Sequence, residues 1–252
     1  MHSAHEAFRE LLRGRKPLTG TLLSLPSPEI AEICADAGFD WLFIDMEHGL
    51  FDIVAAQRMV QAVGHRCPCV LRVPANEPTW ISKALDTAAA GLIFPHVNCR
   101  RDAAAVVRAA KYPPAGARSI GIARAQGYGI RIQESIDNAN RQAILIVQAE
   151  HIDAARHIEE IITEPGVDAV FVGPFDLSAS LNKPGQISDP EVREAIVQIR
   201  DACAAKGVPS GIIVRDAEGA RRAFDEGYSL VCIATDTLLL ADAARKVIKE
   251  AR

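Results

Sequence analysis

Eight short apolar runs alternate with amphipathic helical stretches along this chain, and that alternation constrains the fold more than any single motif. The runs lie at residues 19–25, 41–45, 69–73, 91–95, 143–149, 169–173, 209–214 and 230–234. Several are continuous in Val, Ile, Leu or Phe rather than alternating with polar residues, the pattern of strands covered on both faces. Between the runs, apolar residues recur at i, i+3 and i+4, and helix starts carry chemical marks. Pro28 precedes Glu29, Asp52 precedes Ile53, Pro78 precedes Thr79, and Ser188-Asp189-Pro190 precedes Glu191. Ala37-Gly38, Lys206-Gly207 and Glu226-Gly227 close helices in a glycine suited to a left-handed cap. Strand–helix units with short connections build a parallel sheet, and eight of them closing on themselves take about 250 residues. With 252 residues, the expectation is an α/β protein, a (β/α)8 TIM barrel spanning residues 1–252 as a single domain behind a leading helix at residues 7–12.

Charge and composition narrow the partners. The 28 basic and 32 acidic residues leave a net charge of −4, without the basic excess that a nucleic-acid surface needs. No apolar run approaches membrane-spanning length, and residues 1–15 are too polar for a secretory signal. The cysteines, Cys34, Cys67, Cys69, Cys99, Cys203 and Cys232, form no CxxC pair, and buried free thiols in a reducing cytoplasm are expected. One connection breaks the rhythm. Residues 111–140, opening on Tyr112-Pro113-Pro114-Ala115-Gly116-Ala117-Arg118, are too long for an ordinary connector and read as a functional loop with a short helix at 130–140.

In such a barrel, chemistry collects at the carboxyl ends of the strands. Those positions hold Asp45-Met46-Glu47-His48-Gly49, Arg72, Pro95-His96, Gln148 and Glu150, Gly173 and Asp176, Ile213 and Arg215, then Thr235 and Asp236. Neighbouring strands deliver Glu150 and Asp176 to one mouth. A hard divalent cation needs such a pair, because it takes oxygen ligands from a few side chains and leaves other positions to water or substrate. Taken alone, each residue has a plainer reading. Glu150 suits the first turn of the following helix, Asp176 a turn cap, Arg72 a structural ion pair, His48 a loop cap, and His96 packing as readily as a site. Their conjunction on one rim outweighs those readings. None of the lysines lies on or just after a strand, so a Schiff base lacks its amine. Carbanion chemistry here would need a metal ion.

Longer motifs run in order through nearly the whole chain. They include Ala37-Gly38-Phe39-Asp40-Trp41 leading to Ile44-Asp45-Met46-Glu47-His48, Leu71-Arg72-Val73-Pro74, Lys83-Ala84-Leu85-Asp86 and the Tyr112–Arg118 segment. Gln148-Ala149-Glu150 and Val172-Gly173-Pro174-Phe175-Asp176-Leu177-Ser178 complete the set. On these motifs the chain resembles the HpcH/HpaI family of class II, metal-dependent pyruvate aldolases. The resemblance implies that Glu150 and Asp176 hold Mg²⁺, Mn²⁺ or Co²⁺, with no organic cofactor. It implies that Arg72 donates to the keto oxygen of pyruvate and that Gln148 holds water or substrate oxygen. Gly173, Pro174 and Phe175 would approach the pyruvate carboxylate. His48, oriented by Asp45, would be the acid/base group, with Glu47 in support, and Asp86 would reach a neighbouring subunit's site.

The implied reaction is reversible cleavage of a 4-hydroxy-2-oxo acid, as in aromatic compound catabolism, to pyruvate and an aldehyde. The implied assembly is a homo-hexamer, a dimer of trimers, exchanging helices near residues 237–251. Oxaloacetate decarboxylation at the same site, a CoA-ester lyase of the citrate-lyase type and a non-catalytic metal-binding barrel are the alternatives. The CoA reading would need basic groups for CoA phosphates near the mouth, and the sequence supplies no such patch. Met46, Gly49, His96 and residues 119–129 depart from the family pattern, and the last segment is expected to cover the aldehyde end.

Overall fold

In the computed structural model, which describes residues 4–252, the eight expected strands form a closed parallel barrel. They are β1 (Leu18–Leu23), β2 (Trp41–Asp45), β3 (Cys69–Arg72), β4 (Gly91–Phe94), β5 (Ile144–Ala149), β6 (Ala169–Val172), β7 (Ser210–Val214) and β8 (Leu230–Thr235). Closure comes from β1 pairing with both β2 and β8. The leading helix α1 (Ala4–Arg13) is followed by α2 (Pro28–Asp36), α3 (Ile53–Val63), α4 (Pro78–Asp86) and α5 (Arg100–Ala110). Then come α6 (Ile132–Gln142), α7 (Ile152–Arg156), α8 (Ile158–Ile161), α9 (Pro174–Ser180), α10 (Pro190–Lys206), α11 (Ala217–Asp225) and α12 (Asp236–Glu250). Ser27, Asp52 and Asp189 cap their helices through side-chain oxygens, as their residue types lead one to expect. Among the described residues no helix is long and apolar enough to cross a membrane.

The first strand is shorter than its apolar run. Ser24 and Leu25 donate their backbone N–H groups to the buried Asp236 carboxylate, at 3.1 and 2.9 Å, instead of to a neighbouring strand. A side-chain acceptor thus ends β1 two residues early and ties its end to the start of α12.

Two cores sit on either side of the sheet. The larger one lies between the strands and the helices, and the smaller fills the barrel. Helix α1 plugs the lower end with Phe8 and Leu12, and Arg9 Nη2 fixes the plug to Asp168 at 3.1 Å. Above it, Trp41, Phe43 and Phe171 pack with ring centroids 5.6–6.2 Å apart. Trp41 fits because its partner in β1 is Gly20, where an added Cβ would lie 2.4 Å from the indole. Together with Phe8, these rings make the barrel interior solid. Cys34, Cys203 and Cys232 are buried free thiols. Burial pushes the Cys67 and Cys203 thiols up to about 12, so neither is a ready nucleophile.

Strand periodicity then builds the site. Successive side chains alternate between faces, so Trp41, Phe43 and Asp45 point inward in turn, as do Val70 and Arg72, and Ile144, Ile146 and Gln148. Each series starts apolar and ends polar at the carboxyl end. The long connection is the exception to expectation. It joins the end of α5 to the start of β5, both at the amino-terminal face, so residues 111–143 do not cover the mouth of their own barrel. A helix-to-strand connection in this fold lies opposite the strand-to-helix loops that carry the site, so residues 119–129 do not cover the aldehyde end of their own barrel.

Candidate active site

At the top of the barrel, Asp45 and Arg72 are register partners on β2 and β3. Their side chains form a bidentate pair, Arg72 Nε donating to Asp45 Oδ1 at 2.8 Å and Nη2 to Oδ2 at 2.7 Å. Both residues are buried, and the guanidinium lies 5.3 Å from the centroid of the Phe43 ring. Burial works against the Arg72 charge, but the Asp45 hydrogen bonds and the charges of Asp45, Glu47 and Glu150 outweigh it and raise its pKa. The third nitrogen, Nη1, is 3.4 Å from Gln148 Oε1 and 3.1 Å from Glu47 Oε2.

Beyond β2 the chain turns sharply around Asp45, whose Oδ1 accepts the backbone N–H of Glu47 at 3.0 Å and of His48 at 3.3 Å. This corrects the expected Asp45–His48 contact. The carboxylate is filled by Arg72 and two backbone donors, while the His48 imidazole points outward with its side chain 67% exposed. Asp45 places His48 through the turn, not through its ring. Glu47, expected only to support, is central instead. Its oxygens lie near Arg72 Nη1, near His96 Nε2 at 3.2 Å and near His48 Nε2 at 4.0 Å.

Glu150 follows β5 and is only 2% exposed, and among the described residues no lysine or arginine forms a salt bridge with it. Its Oε1 accepts the His96 N–H at 2.7 Å, and Gln148 Nε2 donates to Oε2. Burial pushes the Glu150 carboxyl above the usual range. The His96 N–H and ring pull it back, and the charges of Glu47 and Asp176 push it up again. Gly173 stands directly over this group, where an added Cβ would meet Glu150 Cβ at 2.7 Å, Oε2 at 3.0 Å and Gln148 Nε2 at 3.1 Å. Pro174 then opens α9, buried, with Phe175 and Asp176 exposed in its first turn.

The fold therefore gathers Asp45, Arg72, Gln148, Glu150, Gly173, Pro174, Phe175 and Asp176 around one mouth. Asp86 is not among them. It ends α4 at the other face of the barrel, where Arg118 Nη2 at 2.6 Å and Gln126 Nε2 at 3.1 Å donate to its Oδ1.

Among the described residues, no group of three or more His, Cys, Asp and Glu side chains closes into a metal cage. Two carboxylates do fit an open oxygen-ligand site, in which water and substrate complete the shell of a Mg²⁺-like ion. The electrostatics fit as well. Glu150 is held against its own desolvation beside two more carboxylates, a clustering of negative charge that a divalent cation neutralises. With only a hydrogen at Gly173, the backbone after β6 packs directly against Glu150 and Gln148, an approach that a Cβ would not allow.

Comparison with known proteins returns a consistent set. A model of the HpcH/HpaI aldolase/citrate lyase family matches residues 19–243. A hydroxypyruvate/pyruvate aldolase from Paraburkholderia phytofirmans is 37% identical over 97% of both chains. A 4-hydroxy-2-oxovalerate aldolase from Rhodococcus jostii is 37% identical over 96% of this chain and 94% of that one. The crystal structure of an HpcH/HpaI aldolase/citrate lyase family protein from Burkholderia cenocepacia aligns with a TM-score of 0.95 at 38% identity, covering 98% of this chain and 99% of the other.

Proposed function

The chain belongs to the HpcH/HpaI aldolase/citrate lyase family, and on that premise we propose a class II aldolase that reversibly cleaves a 4-hydroxy-2-oxo acid to pyruvate and an aldehyde. The observation that carries this reading is the buried Arg72. Two of its nitrogens are locked on Asp45, and the third faces Glu47 and Gln148 in the mouth, beside Glu150. A guanidinium fixed in this way is preorganised for an oxygen that gains charge in the transition state.

Glu150 and Asp176 would hold the divalent cation, Mg²⁺, Mn²⁺ or Co²⁺, which when bound supplies Lewis-acid stabilisation of negative charge on pyruvate oxygens. Arg72 Nη1 donates to the keto oxygen as the C3–C4 bond breaks and the enolate forms. Gln148, with its amide oxygen toward Arg72 and its nitrogen toward Glu150, orients substrate oxygen or water between them. The backbone of Gly173, Pro174 and Phe175 lines the carboxylate end of pyruvate, where the missing Gly173 side chain gives close access. His48, exposed on the turn that Asp45 fixes, takes the proton of the C4 hydroxyl in cleavage and returns it in synthesis.

The whole chain, residues 1–252, acts as one catalytic domain on small-molecule substrates, in a cytoplasm that keeps its cysteines reduced. Assembly is as a homo-hexamer, a dimer of trimers exchanging α12. Supporting this, α12 leaves Leu240, Val247 and Ile248 exposed, and an apolar cleft of about 750 Å³ beside α10 and α11, lined by Ile196, Val197 and Val214, could accept such a helix from a second copy. A single-protomer mass in solution would contradict the assembly.

The reaction is tested by offering the Mg²⁺- or Mn²⁺-loaded enzyme a series of 4-hydroxy-2-oxo acids, with oxaloacetate and a citramalyl-type CoA ester alongside. Pyruvate release from a hydroxy-oxo acid at the highest kcat/KM is expected. Turnover of oxaloacetate or the CoA ester alone would overturn the assignment.

A further inference from the structure

His96 has no part in the chemistry above, yet its ring lies between two carboxylates. Nδ1 is 3.1 Å from Glu150 Oε1, and Nε2 is 3.2 Å from Glu47 Oε1. The residue's own N–H donates to the same Glu150 oxygen at 2.7 Å. Backbone and ring reach one oxygen together in a residue that adopts φ +53°, a left-handed conformation uncommon for a residue with a side chain. Such a conformation persists where its surroundings hold it. Here Asn76 Nδ2 donates to Pro95 O at 2.6 Å, and the next residue, Val97, is buried.

The consequence falls on Glu150. Glutamate has a long, rotatable side chain, and a ligand that swings between rotamers binds a cation less tightly than one already in place. The His96 N–H donates to Oε1, with ring Nδ1 3.1 Å from the same oxygen, and Gln148 Nε2 donates to Oε2. Through Nε2 the same ring meets Glu47, whose other oxygen faces Arg72. One line of contacts thus runs from Glu150 through His96 and Glu47 to Arg72, spanning both halves of the mouth.

We propose that His96 is a positioning residue for the cation site, holding Glu150 in the orientation that binds the ion without being a ligand itself. The proposal rests on Glu150 being a cation ligand. The His96 side chain is 65% exposed, so its removal leaves no core cavity and its effect falls on the carboxylates it touches.

The test needs no turnover. Mn²⁺ is titrated into EDTA-stripped, full-length protein, and the free ion is read by electron paramagnetic resonance. From the typical contribution of residues that orient metal ligands, His96→Ala weakens Mn²⁺ binding by about 10-fold or more, and His96→Asn recovers it to within about threefold of the parent. Asparagine is the informative rescue because its amide can donate to Oε1 and it tolerates the left-handed backbone. Glu150→Gln serves as the control. If His96→Ala binds Mn²⁺ like the parent while Glu150→Gln has lost it, the inference is overturned and the aldolase site stands. If Glu150→Gln itself binds like the parent, both fall.

Discussion

Glu150→Gln abolishes metal-dependent turnover, a fall of roughly a thousandfold or more, while the barrel stays folded and unfolds near the parent's temperature. The loss follows from removing an anionic ligand: Lewis-acid stabilisation is worth several kcal/mol, and about 1.4 kcal/mol corresponds to tenfold in rate. The small change in stability follows from two opposed effects at the same buried position. Burial, and then the charges of Glu47 and Asp176, disfavour the ionised form of Glu150. A neutral amide of the same shape removes that repulsion and keeps an oxygen for the His96 N–H, but its nitrogen then meets Gln148 Nε2, donor against donor. Activity is lost while stability is nearly kept, as expected of a group whose main role is chemical. Steady-state pyruvate release and calorimetric unfolding on the same preparation measure both. Turnover within tenfold of the parent would contradict the ligand role. Asp176→Asn loses activity for the same reason, with little change in stability because the residue is exposed.

Arg72→Ala carries the opposite signature, losing both properties. Removing one preorganised donor to a developing oxyanion typically lowers kcat by about 10²–10³-fold. The fold suffers as well, because Asp45 keeps its buried position without its bidentate partner and Glu47 loses its guanidinium neighbour. Stranding one member of a buried pair is worth roughly 3–5 kcal/mol of stability. The substitution therefore has to be assayed well below its lowered melting temperature, with kcat and unfolding followed in parallel. Arg72→Lys does not restore the rate, since an ammonium cannot make the two parallel bonds to Asp45 and still present a third nitrogen to the mouth. Parental kcat in a folded Arg72→Ala protein would remove the arginine from the mechanism.

The barrel was legible because its signal is local and repeated. Eight buried strands of similar length, each followed by a helix with a recognisable start, leave few other closures, and the same period that placed Phe43 inward placed Asp45 above it. Contacts across strands were harder to read. Asp45 lies three residues from His48, and proximity in sequence suggested that pair. Its actual partner, Arg72, is adjacent only through the β2–β3 register. His96 was harder still, because its grip on Glu150 depends on a positive φ that no residue type in Pro95-His96-Val97 announces. Glu47 drew little weight for a similar reason, since only the turn around Asp45 directs it into the mouth. The long segment after α5 misled for a topological reason. Its length marked it as unusual, but which face it occupies follows from its being a helix-to-strand connection.

The central claim, a cation held by Glu150 and Asp176 that stabilises pyruvate as its enolate, is tested most directly without any aldehyde. Pyruvate is incubated with the enzyme in D₂O, and loss of its methyl proton signal is followed by NMR. Exchange is expected to appear with Mg²⁺ or Mn²⁺, to stop on addition of EDTA and to be absent from Glu150→Gln. Methyl protons that persist in the presence of the metal-loaded parent, or that exchange as fast with Glu150→Gln, would contradict it.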